Sequence, residues 1–362
     1  MVKLGDICQK DTSSLAQKDL EGNEGVYPIY GASGFIKYVD FYQQEKPYIA
    51  VVKDGAGIGR VMCLPGKSSV IGTMQYIIPS DGVNVNYLAY ALEHMNLAKY
   101  YTGATIPHIY FKDYCNEILP AHTQEEQQKI AASLGKVSKL IALRKKQLVK
   151  LDQLVKARFI ELFGDIIHNS KGWHIRIFSE IASSRLGKML DAKQQTGKNR
   201  YPYLANFNVQ WFRFNLDNLN EMDFDEADRV EFELRDGDIL VCEGGEIGRC
   251  AVWHDELQPC FFQKALHRVR CDLQIIHPDY LAWWFKYNCD HGGFAAIAGA
   301  KATIAHLPGA KLKQLQVAVP PMKLQEQFVA FVEQTSKSKI AIQQSLDKLE
   351  LLKKSLMQEY FG

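Results

Sequence analysis

The stretch SSRLGKMLDAKQQTGKNR begins at Ser183 and carries Arg185, Lys188, Lys193, Lys198 and Arg200 among glycine, glutamine, asparagine and threonine. Ammonium and guanidinium groups bind phosphate oxygens, and side-chain amides bind base edges. LANFNVQWFRF at Leu204 adds Asn206, Asn208, Gln210 and Arg213 beside aromatic rings. CEGGEIGR at Cys242 ends in Arg249, and QKALHRVR at Gln263 alternates Lys264, Leu266, Arg268 and Arg270, with His267 between them. Earlier in the chain the candidates are sparser: Lys37, Lys53, Arg60, Lys67, His108 and Lys112. The chemistry on offer is the binding of a polyanion with readable edges. The competing reading is a set of solvated loops and an edge strand guarded by charge.

Catalytic signatures fail one by one. LPGKSS at Leu64 resembles the end of a phosphate-binding loop, but the glycine needed five residues before Gly66 is Val61. DGAGIGR at Asp54 leads into the apolar run VMCL, so it reads as a turn between strands. The only Pro-Pro is Pro320-Pro321, flanked by Val319 and Met322, which does not make the Asn/Asp-Pro-Pro-aromatic signature of adenine methyltransferases. No Asp/Glu-x-Lys follows Pro278-Asp279, so the carboxylate–lysine nuclease core is missing on that side. Cys242, Cys250, Cys260 and Cys271 are spaced too widely and evenly for a zinc knuckle. The chain is expected to hold no metal and no catalytic residue.

Charge is nearly balanced overall, at a formal +2, but it is unevenly placed. Asp217–Asp238 holds ten acidic residues and two arginines. That belt is expected to face solvent or a protein partner. Eight cysteines without a Cys-x-x-Cys pair, and VKLGDICQK after Met1 with no apolar segment, point to reduced thiols and a cytoplasmic protein. No apolar run approaches the length of a membrane span.

The elements that would position these groups occur twice. LGDI at Leu4 matches FSEI at Phe178, and YPIY at Tyr27 matches YPYL at Tyr201, both 174 residues on. GIGR at Gly57 matches EIGR at Glu246, NYLAYAL at Asn86 matches DYLAWWF at Asp279, and GATIPHI at Gly103 matches AKATIAHL at Ala300. LPAHTQEEQ at Leu119 matches VPPMKLQEQ at Val319, each with Glu-Gln six residues after the first proline. Order is kept while the offset drifts to 200, so the second copy carries insertions around the acidic belt.

Each copy ends in a long helix. Thr123 and Glu126 form a capping box after Pro120. Ile130, Leu134, Val137, Ile141, Arg144, Leu148, Leu151, Val155, Arg158 and Leu162 then follow at spacings of four and three, a heptad seam broken only by two arginines. Gly164 suits the helix stop. The second helix repeats the seam through Ile342, Leu346, Leu349, Lys353, Leu356 and Tyr360, with Lys323 where the capping threonine would stand. Two such seams in one chain are most simply covered by each other. A two-fold-like pair of copies favours the antiparallel arrangement, giving an α+β protein with two mixed α/β globular domains joined by a coiled coil.

These features together resemble the specificity subunit of type I restriction–modification systems. The resemblance rests on the LP…EEQ and VPP…QEQ openings, the helices ending in Phe-Gly, and the YP, IGR and TI-x-H elements ahead of each. GKMLDAKQQTG, NVQW, CEGGEIGR and QKALHRVR add the look of one class of target-recognition domain. It implies recognition domains at 1–120 and 166–320, spacer helices at 121–165 and 321–362, and a bipartite double-stranded DNA target. It further implies two modification subunits, restriction subunits in some systems, and S-adenosylmethionine, ATP and Mg used by those partners rather than by this chain. On that reading the DNA candidates are Lys53, Arg60, Lys67, His108, Arg185, Lys188, Lys193, Lys198, Arg200, Asn208, Gln210, Arg213, Arg249, Lys264, His267 and Arg268. A coiled-coil adaptor that never touches DNA is the alternative.

Overall fold

Tyr48–Val52 and Ile239–Cys242 have every residue buried, the pattern of a strand covered on both faces. In the computed structural model each lies at the centre of a four-stranded antiparallel sheet. The structure describes residues 1–103, 107–191, 195–295 and 306–362. These form two compact units. One comprises Met1–Leu148 with Ala341–Gly362, and the other is Val149–Ile340.

In the first unit the main sheet runs, in spatial order, Cys8–Thr12, Met74–Pro79, Tyr48–Val52 and Val61–Leu64. A second sheet orders Gly34–Val39, Tyr27–Gly31 and Ser69–Val70, the last pair parallel. Val2–Lys3 pairs with Ile118–Leu119. The second unit repeats this topology. Its main sheet is Ala182–Leu186, Leu266–Cys271, Ile239–Cys242 and Cys250–Val252. Its second sheet is Asn220–Asp223, Arg200–Leu204 and Phe261–Phe262, again with a parallel last pair. His174–Ile177 pairs with Gln316–Val319. The second unit adds a hairpin, Val209–Gln210 with Arg213–Phe214. The repeat read from short sequence matches is therefore a repeat of strand order, and the fold class is the α+β one expected.

Both long helices, Gln124–Phe163 and Met322–Phe361, have 40 residues, about 60 Å each at 1.5 Å per residue. All ten expected seam positions of the first helix are buried or half-buried. The helices run antiparallel within each unit. In the first, Ile130 and Leu134 share a core with Met357 and Phe361, while Lys145 pairs with Glu350 at 2.8 Å. In the second, Phe159 and Phe163 meet Phe328 edge-on at 5.3 and 5.5 Å, and Lys339 pairs with Asp152. Arg158, an apparent break in the seam, lays its guanidinium over Phe331 and pairs with Glu161. The second seam extends further than its apolar residues suggest. Thr335 is buried on it, its hydroxyl bonded to the Phe331 carbonyl, and Lys339 is half-buried.

The capping box forms as expected. Thr123 N–H donates to Glu126 Oε2 at 2.7 Å, and Glu126 N–H donates to Thr123 Oγ1 at 3.3 Å. The second helix has Lys323 at that place, and what the two helices share is a glutamine tie, which revises the match of the two opening phrases. Gln127 Oε1 accepts from the N–H of Asn84, the N-cap of helix Val85–His94. Gln325 Oε1 accepts from the N–H of His277, the N-cap of helix Pro278–Asp290. The glutamines that tie each long helix to its neighbour are thus Gln127 and Gln325. The sequence phrase aligned Gln127 with Gln327 instead, two residues out.

Candidate nucleic-acid interface

The candidate residues fall into three groups by what their side chains touch. Some are consumed inside the fold. Asn208 is buried, accepting from Ala205 N–H at 2.9 Å and donating to the Asn215 carbonyl at 2.9 Å. His267 is buried with Nε2 at 2.9 Å from the Leu307 carbonyl, and burial lowers its pKa from the ordinary 6.5. Neither side chain is offered to a ligand, contrary to expectation. The reason is topological. QKALHRVR supplies a central strand, between Ala182–Leu186 and Ile239–Cys242, rather than a charged edge. Lys188 is mostly buried, donating to the Asp223 carbonyl at 2.7 Å and pairing with Asp228.

Arg60 and Arg249 form a second group. Arg60 Nη1 donates to the Ala32 carbonyl at 2.7 Å, and Arg249 Nη2 donates to the Asn206 carbonyl at 3.1 Å. Ala32 and Asn206 occupy equivalent places after the two YP strands, so each copy makes the same bond. Ile109 N–H reaches the Lys53 carbonyl, and Leu307 N–H the Glu243 carbonyl, giving a second matched tie just after each TI-x-H histidine. These arginines lock the IGR turn onto the neighbouring sheet. Gly59 and Gly248 permit the turn, with φ of +78° and +79°. A Cβ on Gly59 would meet the Ala98 backbone nitrogen at 2.6 Å. Residues 104–106 and 300–305 of the TI-x-H elements lie outside the described residues.

The third group is exposed or half-exposed. In the first unit Lys53, Asp54 and His108 cluster, with His108 Nδ1 at 2.6 Å from Asp54 and Lys53 Nζ at 3.8 Å. Tyr110 stacks on His108, and Lys112 lies over the Tyr110 ring. Lys67 stands apart, at a positive φ and 3.8 Å from Glu45. In the second unit Lys198, Arg213 and Lys264 are exposed, Gln210 Nε2 donates to the Phe207 carbonyl, and Lys264 lies by Met189. Lys193 lies outside the described residues. A cleft of about 540 Å³ is lined by Arg185, Lys188, Met189, Glu231, Phe232 and Lys264, among others.

The acidic belt is folded into regular elements, yet six of its ten carboxylates, those of Asp217, Glu221, Asp225, Glu226, Glu231 and Asp236, are exposed as expected. Asn220–Asp223 is a strand against Arg200–Leu204, and Glu226–Phe232 is a helix capped by Asp225. From these elements Glu231 pairs with Arg185, and Glu221 lies 3.5 Å from Arg200. Asp238 holds Arg270 through both its oxygens, at 2.7 and 2.9 Å. Arg268 Nη1 donates to the Glu231 carbonyl at 2.7 Å, and burial lowers its pKa. Arg185 and Arg268 stand directly opposite on paired strands. Like charges so placed repel, so an acidic neighbour is needed there. Asp223 organises the loop before Arg200. Burial works to raise its carboxyl, but Thr196 Oγ1 and the N–H groups of Gly197, Thr196 and Asn199 outweigh that and hold it below the usual range. The sequence shows the belt as charge excess. Only strand pairing shows that its partners are the basic candidates themselves.

Exposed aromatic and apolar residues were not among the candidates. Phe35 and Tyr38 are 5.0 Å apart and more than half exposed on the first unit's hairpin. Phe212 adopts a positive φ of 61° and stacks on Trp283 at 4.5 Å, fixing the tip of the second unit's extra hairpin.

The family model for the type I restriction modification DNA specificity domain matches residues 1–153 and 170–353. A putative type I restriction enzyme specificity subunit of Haemophilus influenzae is 21% identical over 354 residues, covering 92% of this chain and 88% of the relative. A putative MjaX specificity subunit of Methanocaldococcus jannaschii is 22% identical over 193 residues, 52% of this chain and 45% of the relative. Among solved structures, a type I restriction–modification S subunit from M. genitalium superposes with a TM-score of 0.65 at 16% identity, covering 100% of this chain and 95% of that one. A structure from work on assembly and conformational transition of the type I R-M system gives 0.59 at 14% identity, covering 99% and 96%. The chain belongs to the type I restriction modification DNA specificity family. It is a DNA sequence-specificity subunit with two recognition domains, a non-catalytic component of a type I system. Among the described residues, no helix is long and apolar enough to cross a membrane.

Proposed function

We propose that each unit reads one half of a split DNA sequence and that the two long helices set the gap between the halves. In the second unit the contacts would come from Lys198, Arg200, Gln210, Arg213 and Lys264, with Arg185 at the cleft; Lys193 is a further candidate by sequence alone. In the first they would come from Lys53, Lys67 and His108. Two modification subunits would carry S-adenosylmethionine and the methyl transfer. Where restriction subunits join, ATP and Mg would serve them, with this chain binding no cofactor. The setting is the cytoplasm, where the DNA is.

The repeated strand order carries this reading, because two copies of one domain suit two half-sites. Methylated adenines can be mapped in cells with and without the gene. Loss of one split, non-palindromic motif is expected, and an unchanged set of motifs overturns the reading. Arg213→Ala, Lys198→Ala and Lys264→Ala should each reduce the salt slope of DNA binding by about 0.9 if the charge meets phosphate. A coiled-coil adaptor would show no salt-dependent binding to lose. The spacer role has its own test. Adding one heptad to both helices should change the half-site gap, and an unchanged gap in a well-folded variant counts against it.

A further inference from the structure

We infer that Glu221 and Glu231 are specificity-determining residues of the second recognition domain, acting as built-in competitors for the phosphate backbone. The inference rests on the reading that Arg185 and Arg200 meet DNA. Both arginines are exposed, with side chains 55% and 57% accessible, yet each is paired with a carboxylate of the acidic belt that is also partly exposed, at 42% and 50%. Arg185 is held additionally over the Phe232 ring.

These pairs differ from the structural pairs of the same domain. Asp238 is buried under Arg270, and Lys188 is mostly buried against Asp228. Opening those pairs would strand a charge away from water. Opening Arg185–Glu231 or Arg200–Glu221 strands nothing, because both partners stay wetted, and such exposed pairs hold weakly. They are therefore pairs that an incoming phosphate can open.

The effect on recognition follows from what each kind of DNA offers in return. Any duplex presents phosphates, so phosphate attraction alone carries no sequence information. On non-cognate DNA the arginine must leave its carboxylate, and that carboxylate then faces the phosphates with the same sign of charge. Base contacts on the cognate half-site offset both costs. The two glutamates thus lower binding to all DNA by a common amount, and only sites whose base contacts offset that cost are held long enough to be methylated. In the first unit the one comparable pair among the proposed contacts of the described residues is Lys67–Glu45, exposed at 59% and 61% and outside any acidic belt. Lys53 and His108 share their own neighbour Asp54, and Lys67 lies 3.8 Å from Glu45.

The test uses the whole chain co-expressed with its own methyltransferase subunits. Glu221→Gln and Glu231→Gln keep shape and hydrogen-bonding capacity while removing charge. The double variant should bind non-cognate duplex about tenfold tighter. Its salt slope should steepen by about 1.8, for two released cations at roughly 0.9 each. Methylation should spread to sites with a mismatch in the half-site read by the second unit, while the first half-site stays strict. Unchanged non-cognate affinity, salt slope and motif in the folded double variant overturn the inference. Because Glu231 also lies between Arg185 and Arg268, thermal melting accompanies each variant, and Glu221→Gln alone should give about half the effect if Glu231→Gln is unstable. Arg185→Ala with Arg200→Ala separates this inference from the reading beneath it. Lost cognate binding in that variant, with no change in the glutamine variants, removes the inference and leaves the reading. Intact cognate binding removes both.

Discussion

The two units share a strand order and differ in how they treat charge. In the first, the few cations pair with acids close in sequence or on the next loop, as with Lys53 and Asp54. In the second, a folded acidic strand and helix supply counter-charges to Arg200 and Arg185, and Asp238, in the turn that follows, holds Arg270. What the copies keep is the scaffold: the sheets, the IGR turn, its arginine and the glutamine tie. What they vary is the surface in front of it. Within one chain, the comparison separates residues that hold the domain from residues that tune what it meets.

That separation can be broken most directly in the cores. Phe163 is fully buried against Tyr280 and Phe328 in the second unit. Phe163→Ala should cost about 3–5 kcal/mol, measured by denaturant unfolding. Phe361 holds the equivalent place in the first unit but is slightly less enclosed, so Phe361→Ala should cost less. Equal losses would mean that the two sockets are closer in packing than they look.

The turn glycines come next. Gly59→Ala should cost about 1–3 kcal/mol from its backbone conformation alone, with more added because the new Cβ meets backbone at 2.6 Å. Gly248→Ala meets the Phe294 ring edge at 2.8 Å instead, and a ring can shift, so it should lose less. Paired melting curves give the ranking.

The arginine pins should separate by burial. Arg249→Ala removes donations to both the Asn206 carbonyl and its Oδ1, from a mostly buried side chain. The expected loss is about 1.5–3 kcal/mol. Arg60→Ala removes one such bond from an exposed side chain and should cost under about 1 kcal/mol. If Arg60→Ala instead abolished methylation at native stability, Arg60 would be a reader rather than a pin.

The smallest effect is expected from pH. Burial holds the His267 pKa below 6.5 in the folded state, so the folded protein binds fewer protons than the unfolded one. Its contribution to stability is complete above the unfolded pKa and is lost as pH falls through the lower folded value. The melting temperature should fall from pH 7 toward 5, and His267→Gln should flatten that fall. An identical slope in the variant would assign the pH dependence elsewhere.

Much of the frame was legible in the residues. A heptad seam needs only side-chain type and spacing, and Thr123 with Glu126 announces a cap chemically. The repeat was visible because the matches kept apolar residues in order, some of them joined to a turn glycine or proline. The second seam between Phe328 and Ile342 was not, since Thr335 and Lys339 look polar until Phe331 and Asp152 are placed beside them. The candidate site was less legible. Asn208 and His267 are readers by residue type but are spent on backbone groups, which only tertiary contacts reveal. Arg60 and Arg249 did carry a signal that could have been used. An arginine recurring at one place in two copies meant to read different sequences belongs to what they share.

The order in which the units can close follows from which segments they contain. Every buried residue of the second unit's main core lies between Val155 and Phe328. The first unit's core includes Met357 and Phe361, and Phe361 sits 5.3 Å from Tyr87. A ribosome making this chain therefore releases the first unit's strands early but supplies the last pieces of its core 270 residues after Tyr87. Domains generally fold as they emerge, from the N-terminus onward. Here the later unit has its parts first, and the earlier one is held open, its apolar socket at Tyr87 and Leu134 bare, until the final turns of helix arrive. Nascent-chain proteolysis should find the first half cleavable for longer than the second.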